Sequence, residues 1–238
     1  MLKIRATGSL HELLGEAPTD LRARLKDETG QSFRRINRYN ELALLGALRC
    51  RKHAGVIAED TALYLACDSP MLADSVKILQ GIEIERRPPS PFEFMNISGN
   101  MAGYYIANQL GLSGPQLALH RNHAGLEAVL ELLMLQSAQH RRALIGYVEE
   151  GVWPLPEQRL RHGFPTNAPL SECSHWYYFD QDCAAPSAVI EITDHMLPTS
   201  ATQGMETPLA LSRYLAGTDT GIMRLGSALT VRKPVTES

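Results

Sequence analysis

Two histidines raise the question of chemistry first. The stretch LALHRNHAGLEAVLELLML, residues 117–135, carries His120 and His123 at a turn between an apolar run and a strongly apolar helix pattern. Imidazoles act as general bases, nucleophiles or metal ligands. With Glu127 the spacing is i, i+3 and i+7, so one helical face would offer a metal two imidazoles and a carboxylate. His120 belongs to the end of the apolar run, however, which breaks that spacing. The plainer reading makes both histidines interface or core imidazoles bonded to backbone carbonyls, and no metal site is assigned. Glu149 and Glu150 are a second candidate, a carboxylate pair for acid–base work. Adjacent strand residues point to opposite faces, so the two do not converge on one substrate. They are read as structural acceptors for backbone or Arg donors. The cysteines, Cys50, Cys67, Cys173 and Cys183, form no CxxC pair, so neither a zinc knuckle nor a redox motif is indicated. Cys173 and Cys183 flank an expected hairpin, but all four are read as reduced, mostly buried thiols.

The elements that must hold these residues follow from pattern. The 238 residues are 44% hydrophobic and 21% charged, enough for one substantial core, read as a single domain over 1–238. No apolar run is long enough to span a bilayer, and MLKIRATGSL lacks a signal-peptide core, so a soluble cytoplasmic protein is expected. A net charge of −3 leaves no basic excess for nucleic acid. The clusters HRRALIG and RLRHG are solvated faces or a docking patch for an acidic partner.

LKIRATG alternates as a first strand ending at Gly8, and FRRINRYNELALLGALRCRKHAG is a helix pattern stopped at Gly55. TALYLAC suits a strand buried on both faces. SPMLADSVKIL reads as a helix with Ser69 as N-cap and Pro70 at its first position. RRPPSPFEF should be extended because of its prolines. NMAGYYIANQLG is a helix closed by Gly111, GPQLALH a strand, and 124–138 a buried helix. RALIGYVEEG is another strand, and PLPEQRLRHGFPTNAPL a loop. SHWYYFD and SAVIEIT then pair as an antiparallel hairpin, before a short helix (PLALSRYLAG) and a last strand (SALTVRK). The class is α/β: a mixed, mostly parallel sheet with helices on both faces and an antiparallel hairpin at one edge.

The order of RRINRYNELAL, SPFEFMNISGNMAGYYIANQLGLSGPQLAL and ALIGYVEEG, across about residues 30–195, resembles the N-terminal half of a β-ketoacyl synthase. The resemblance implies half of a thiolase-like fold. It places His123 where the family carries its nucleophilic cysteine, followed by Ala124 and Gly125. An acyl-imidazole there would be labile, and Cys67 and Cys173 lie on other segments. His162, His175 and His195 match none of the family's later catalytic motifs, so condensation by this chain alone is not expected. The role implied is that of a chain-length factor. Such a factor is a non-catalytic partner that forms a heterodimer with an active ketosynthase and shapes the tunnel for an acyl chain built on an acyl carrier protein. The chain's length resembles the short stand-alone factors of bacterial aryl polyene biosynthesis. Carried over by position, the tunnel candidates are Ser69, Pro70, Met71 and Leu72, then Phe92, Glu93 and Phe94, with Met71 and Phe94 as plugs. Glu93 is expected to pair with an Arg. Interface candidates are Asn100, Met101, Tyr105, His120, Asn122 and His123. No cofactor, metal, nucleic-acid partner or membrane span is implied. Two other functions stay open: a small acyltransferase or thioesterase using His123 as base, and a scaffold docking carrier proteins through Arg141 and Arg142.

Overall fold

A computed structural model describes residues 1–121, 124–161, 163–192, 206–218, 221–225 and 229–234. Strand β1 (Leu2–Leu13) opens the chain, followed by α1 (Leu21–Thr29) and α2 (Arg38–Ala54). Next come β2 (Ala62–Cys67), α3 (Leu72–Glu83), α4 (Pro91–Asn96), α5 (Met101–Leu110), β3 (Gln116–His120) and α6 (Gly125–Leu135). After these lie β4 (Arg142–Glu149), α7 (Leu155–Arg161), β5 (Ser171–Asp180) and β6 (Ala188–Ile192). The last elements are α8 (Glu206–Ala216), β7 (Met223–Leu225) and β8 (Leu229–Arg232). Among the described residues no helix is long and apolar enough to cross a membrane.

The strands form one mixed sheet in the order β3-β2-β4-β5-β1-β6-β8-β7, with helices on both faces. Alternation along the central strands divides the core in two. Leu63, Leu65 and Cys67 of β2 face α2 and α5, whereas Ala62, Tyr64 and Ala66 face α6. A strand with apolar residues on both faces is covered on both, and β2 is buried throughout. Trp176 of β5 fixes the spacing at the centre of the sheet. It lies between Gly8 of β1 and Gly146 of β4 in register, beneath Gly46 of α2. A Cβ on Gly146 or Gly46 would stand 2.4 or 2.5 Å from the indole ring, so only glycine lets β4 and α2 close on it.

Several expectations need correction. Only β2–β3 and β2–β4 pair in parallel among the described strands; the remaining pairs are antiparallel. Parallel pairing is confined to the part where helices return the chain to the same end of the sheet. SHWYYFD and SAVIEIT are both strands but do not form a hairpin, because β1 inserts between them, antiparallel to each. That insertion needs a long first strand, and β1 runs past Gly8 to Leu13. Two further helices appear. One is α1, which is capped by Asp20, and the other is α7, inside the segment read as a loop. Helix α6 ends at Leu135 rather than at 138. The RRPPSPFEF segment is not wholly extended, since Pro91–Asn96 is helical. Finally, α3 starts at Leu72 after Met71, without the Ser69 cap expected for it.

Candidate functional site

The C-terminal ends of β3, β2 and β4 lie side by side, and the candidate residues gather there. In a parallel arrangement the loops leaving the strands at this end form the crevice where ligands are received. The turn from β2 to α3 occupies the middle. Met71 sits in it with φ 48° and ψ 37°, a left-handed conformation that costs a non-glycine residue about 1–2 kcal/mol. It is also buried, with only 3% of its surface exposed. Its carbonyl accepts from the Ser75 amide at 2.9 Å and the Ser75 hydroxyl at 2.8 Å.

Two carboxylates at the end of β4 fasten this turn. Glu149 Oε1 accepts from the amides of Asp68 and Ser69, the latter at 3.1 Å, and from Cys67 Sγ at 3.3 Å and the Tyr147 hydroxyl at 3.4 Å. Glu150 Oε1 accepts from the Ala73 amide at 3.1 Å. Both side chains are buried. Burial is the main cause that pushes Glu149 up to about 7 and Glu150 up to about 8, opposed by the amides of Asp68 and Ala73 and aided by the charges of Asp68 and Asp74. The two glutamates thus accept backbone donors, as their sequence reading had it. Both also reach one turn, because Glu149 is the last residue of the strand and Glu150 has left its alternation.

The end of β3 and the start of α6 lie against the same place. The Arg121 amide donates to the Cys67 carbonyl at 3.1 Å, and Gly125 packs on Ala66 and Asp68. Ala124 opens α6 with φ 57°, so the strand before this segment and the buried helix after it are both present. Asn122 and His123 lie outside the described residues, so the nucleophile position is untouched by these observations. His120 packs its ring on Gly99, where a Cβ would come within 2.7 Å of Cε1, and partial burial lowers its pKa. Among the described residues no group of three His, Cys, Asp or Glu side chains could hold a metal ion. Cys67 is fully buried, and burial followed by Glu149 pushes its thiol well above the usual range. It is not a thiolate nucleophile at neutral pH.

The other candidates form a rim rather than an interior. Ser69 and Leu72 are half-buried beside Met71, but Phe92 and Phe94 are 47% and 65% exposed. Helix α4 carries them because Ser90 and Glu93 cap it reciprocally, with Pro91 at the first helical position. Glu93 pairs with Arg87 of the same chain at 2.9 Å, and that bond, ahead of the Ser90 donors, holds its carboxyl down at about 2. The Arg35 guanidinium lies 3.6 Å from the centre of the Phe92 ring. Asn100 accepts from Ser98 at 2.6 Å, Met101 is half-buried, and Tyr105 meets Phe33 and Tyr104 edge to face. One residue outside the sequence-derived set joins rim and turn. Asn37 caps α2 and donates both to Asp74 of α3, at 2.6 Å, and to the Asn96 carbonyl of α4, at 3.0 Å.

No protein-family model matches the chain, and no curated protein matches it in sequence. Solved structures do match it in fold. One is a chain of the ketosynthase ApeO in complex with its chain length factor ApeC from Xenorhabdus doucetiae. It matches at TM-score 0.62 and 12% identity, over 98% of this chain and 99% of that one. At that identity the match shows a shared fold. The ishigamide ketosynthase/chain length factor matches at TM-score 0.61 and 17% identity, over 92% of this chain and 74% of that one. A β-ketoacyl synthase from Burkholderia phymatum matches at TM-score 0.58 and 12% identity, over 90% of this chain and 70% of that one. The eight-stranded mixed sheet with its helices resembles half of a thiolase-like fold, as read from the sequence.

Proposed function

We propose that this chain is a chain-length factor: a non-catalytic subunit that pairs with an active ketosynthase and closes the tunnel for an acyl chain carried on acyl carrier protein in the cytoplasm. The observation that carries the reading is an apolar rim beside an open sheet edge, on a fold shared end to end with a chain of a ketosynthase–chain length factor complex. Phe92, Phe94 and Met95 of α4, Tyr104 of α5 and Leu117 of β3 are each between 42% and 65% exposed. Scattered single apolar residues need no explanation, but several exposed on α4, on the edge strand β3 and on α5 packed against it favour a protein interface. β3 itself, QLALH, is the outermost strand at that edge and carries no lysine or proline to block pairing.

Within such a complex Met71 and Phe94 have different work. Met71 is already packed in the core behind the β2–α3 turn, so it sets how deep the space beneath that turn can be. Phe94 projects outward and would enter the partner's half of the tunnel. Reconstitution with the cognate ketosynthase and carrier protein tests this. Met71→Ala or Phe94→Ala should shift the product distribution to longer chains by at least one extension unit, at similar total turnover. Wild-type product lengths from both variants would contradict the assignment.

A further inference from the structure

The geometry points to Glu149 and Glu150 as positioning residues that hold the turn 68–73 from both sides and so fix where the Met71 side chain lies in the tunnel. This rests on the chain-length-factor reading above. Three observations join here. Met71 is held in a left-handed conformation that an isolated chain disfavours, so something must oppose its relaxation. The amides on either flank of it, Asp68 and Ser69 before and Ala73 after, all donate to these two carboxylates. Both carboxylates are buried, at 8% and 5% exposure, a position an acid occupies at a cost unless its bonds are needed. Glu150 Oε2 has no hydrogen-bond partner among the described residues, so that acid is held here for the one bond its other oxygen makes.

The clamp also explains why α3 starts late. The Asp68 and Ser69 amides are taken by Glu149, which draws the backbone toward β4. Pro70 has no amide to donate, and the chain must then turn sharply at Met71 to enter the helix. Asp68, Cys67 and Tyr147 face Glu149, while Asp74 and Glu172 face Glu150, and Glu172 is itself neutralised by Arg38. The groups beside Glu150 are thus acidic or already paired, leaving the backbone amides as the partners that give the pair its direction. Stapling a strained residue from two points lets it be a firm stop for a growing chain, whereas a free methionine would yield to pressure.

The test combines hydrogen exchange with product analysis, using the chain in complex with its ketosynthase. Glu149→Ala should speed exchange of the Asp68 and Ser69 amides by about tenfold or more, and Glu150→Ala that of Ala73, with the strands β2 and β4 unchanged. Both variants should shift products to longer chains, as Met71→Ala does. Glu149→Gln and Glu150→Gln, which keep an acceptor oxygen at each place, should restore the wild-type lengths and guard against a simple folding defect. Unchanged exchange, or wild-type product lengths in the alanine variants while Met71→Ala still lengthens them, overturns the clamp and leaves the chain-length reading standing. If Met71→Ala also leaves the products unchanged this inference falls, and if Phe94→Ala leaves them unchanged as well the chain-length reading falls with it.

Discussion

At the scale of single residues, buried acids and a buried imidazole set opposite limits on stability. Glu149 and Glu150 titrate near 7 and 8 in the fold, against 4.5 as ordinary side chains, chiefly because burial disfavours their charge. The folded chain therefore holds protons that the unfolded chain has released, and stability falls as pH rises from about 4.5 to 8. His175 works the other way. It is buried on β5 with Nδ1 2.8 Å from the Ser212 hydroxyl, and burial, then His11, lowers it to about 4. Between about 4 and 6.5 the unfolded state takes up that proton and the folded state does not, so stability falls as pH drops. Urea unfolding at pH 5, 6 and 8 should thus show Glu150→Gln flattening the alkaline limb, by on the order of 1–2 kcal/mol at pH 8. His175→Gln should flatten only the acid limb. Curves parallel to wild type would contradict these burial effects. The sequence showed the two glutamates as adjacent acceptors but not that both would meet one turn. That depends on where β4 stops, and a period-two pattern does not show its own last residue.

At the scale of elements, α4 is the instructive case. Six residues with three prolines just before or within their start make a poor helix by propensity, and none of the six is buried. The cap makes up the difference: Ser90 accepts from the Glu93 amide, and Glu93 accepts from the Ser90 amide while also pairing with Arg87. Ser90→Ala should cost about 1 kcal/mol and speed amide exchange over 91–96, while the sheet keeps its protection. Equal exchange in variant and wild type would show that α4 is held by its contacts alone. The signal was in the sequence, because SPFE has Ser, Pro at the first position and Glu at the third. The proline run outweighed it there. The long segments α2, β2, α5, β3 and β4 were legible from periodicity and from Gly55 and Gly111 as stops. The place of β1 between β5 and β6 was not, since strand order depends on which apolar faces meet in three dimensions.

At the scale of the whole molecule, the sheet treats β1, inside it, and β3, at its end, differently. Among the described residues β6 pairs β1 over Leu2–Ile4, and β1 runs on beyond it to Leu13. There Arg49 donates to the Ser9 carbonyl at 2.9 Å, and His53 Nδ1 lies 2.6 Å from the Thr7 carbonyl, so basic side chains occupy groups another strand would seek. Among the described residues the β3 edge has no such guard, its Leu117 is exposed, and α5, with exposed Tyr104, packs against it. A sheet that guards β1 with basic side chains and leaves the terminal strand β3 apolar favours a partner at β3. On the reading proposed here, that partner is a ketosynthase. Co-expression with the cognate ketosynthase, followed by size-exclusion chromatography with light scattering, tests this most directly. A one-to-one complex is the expected result, lost in a Leu117→Lys, Phe94→Arg double variant whose melting temperature stays close to wild type. A wild-type chain that elutes as a monomer, apart from the ketosynthase at micromolar concentration, would contradict it.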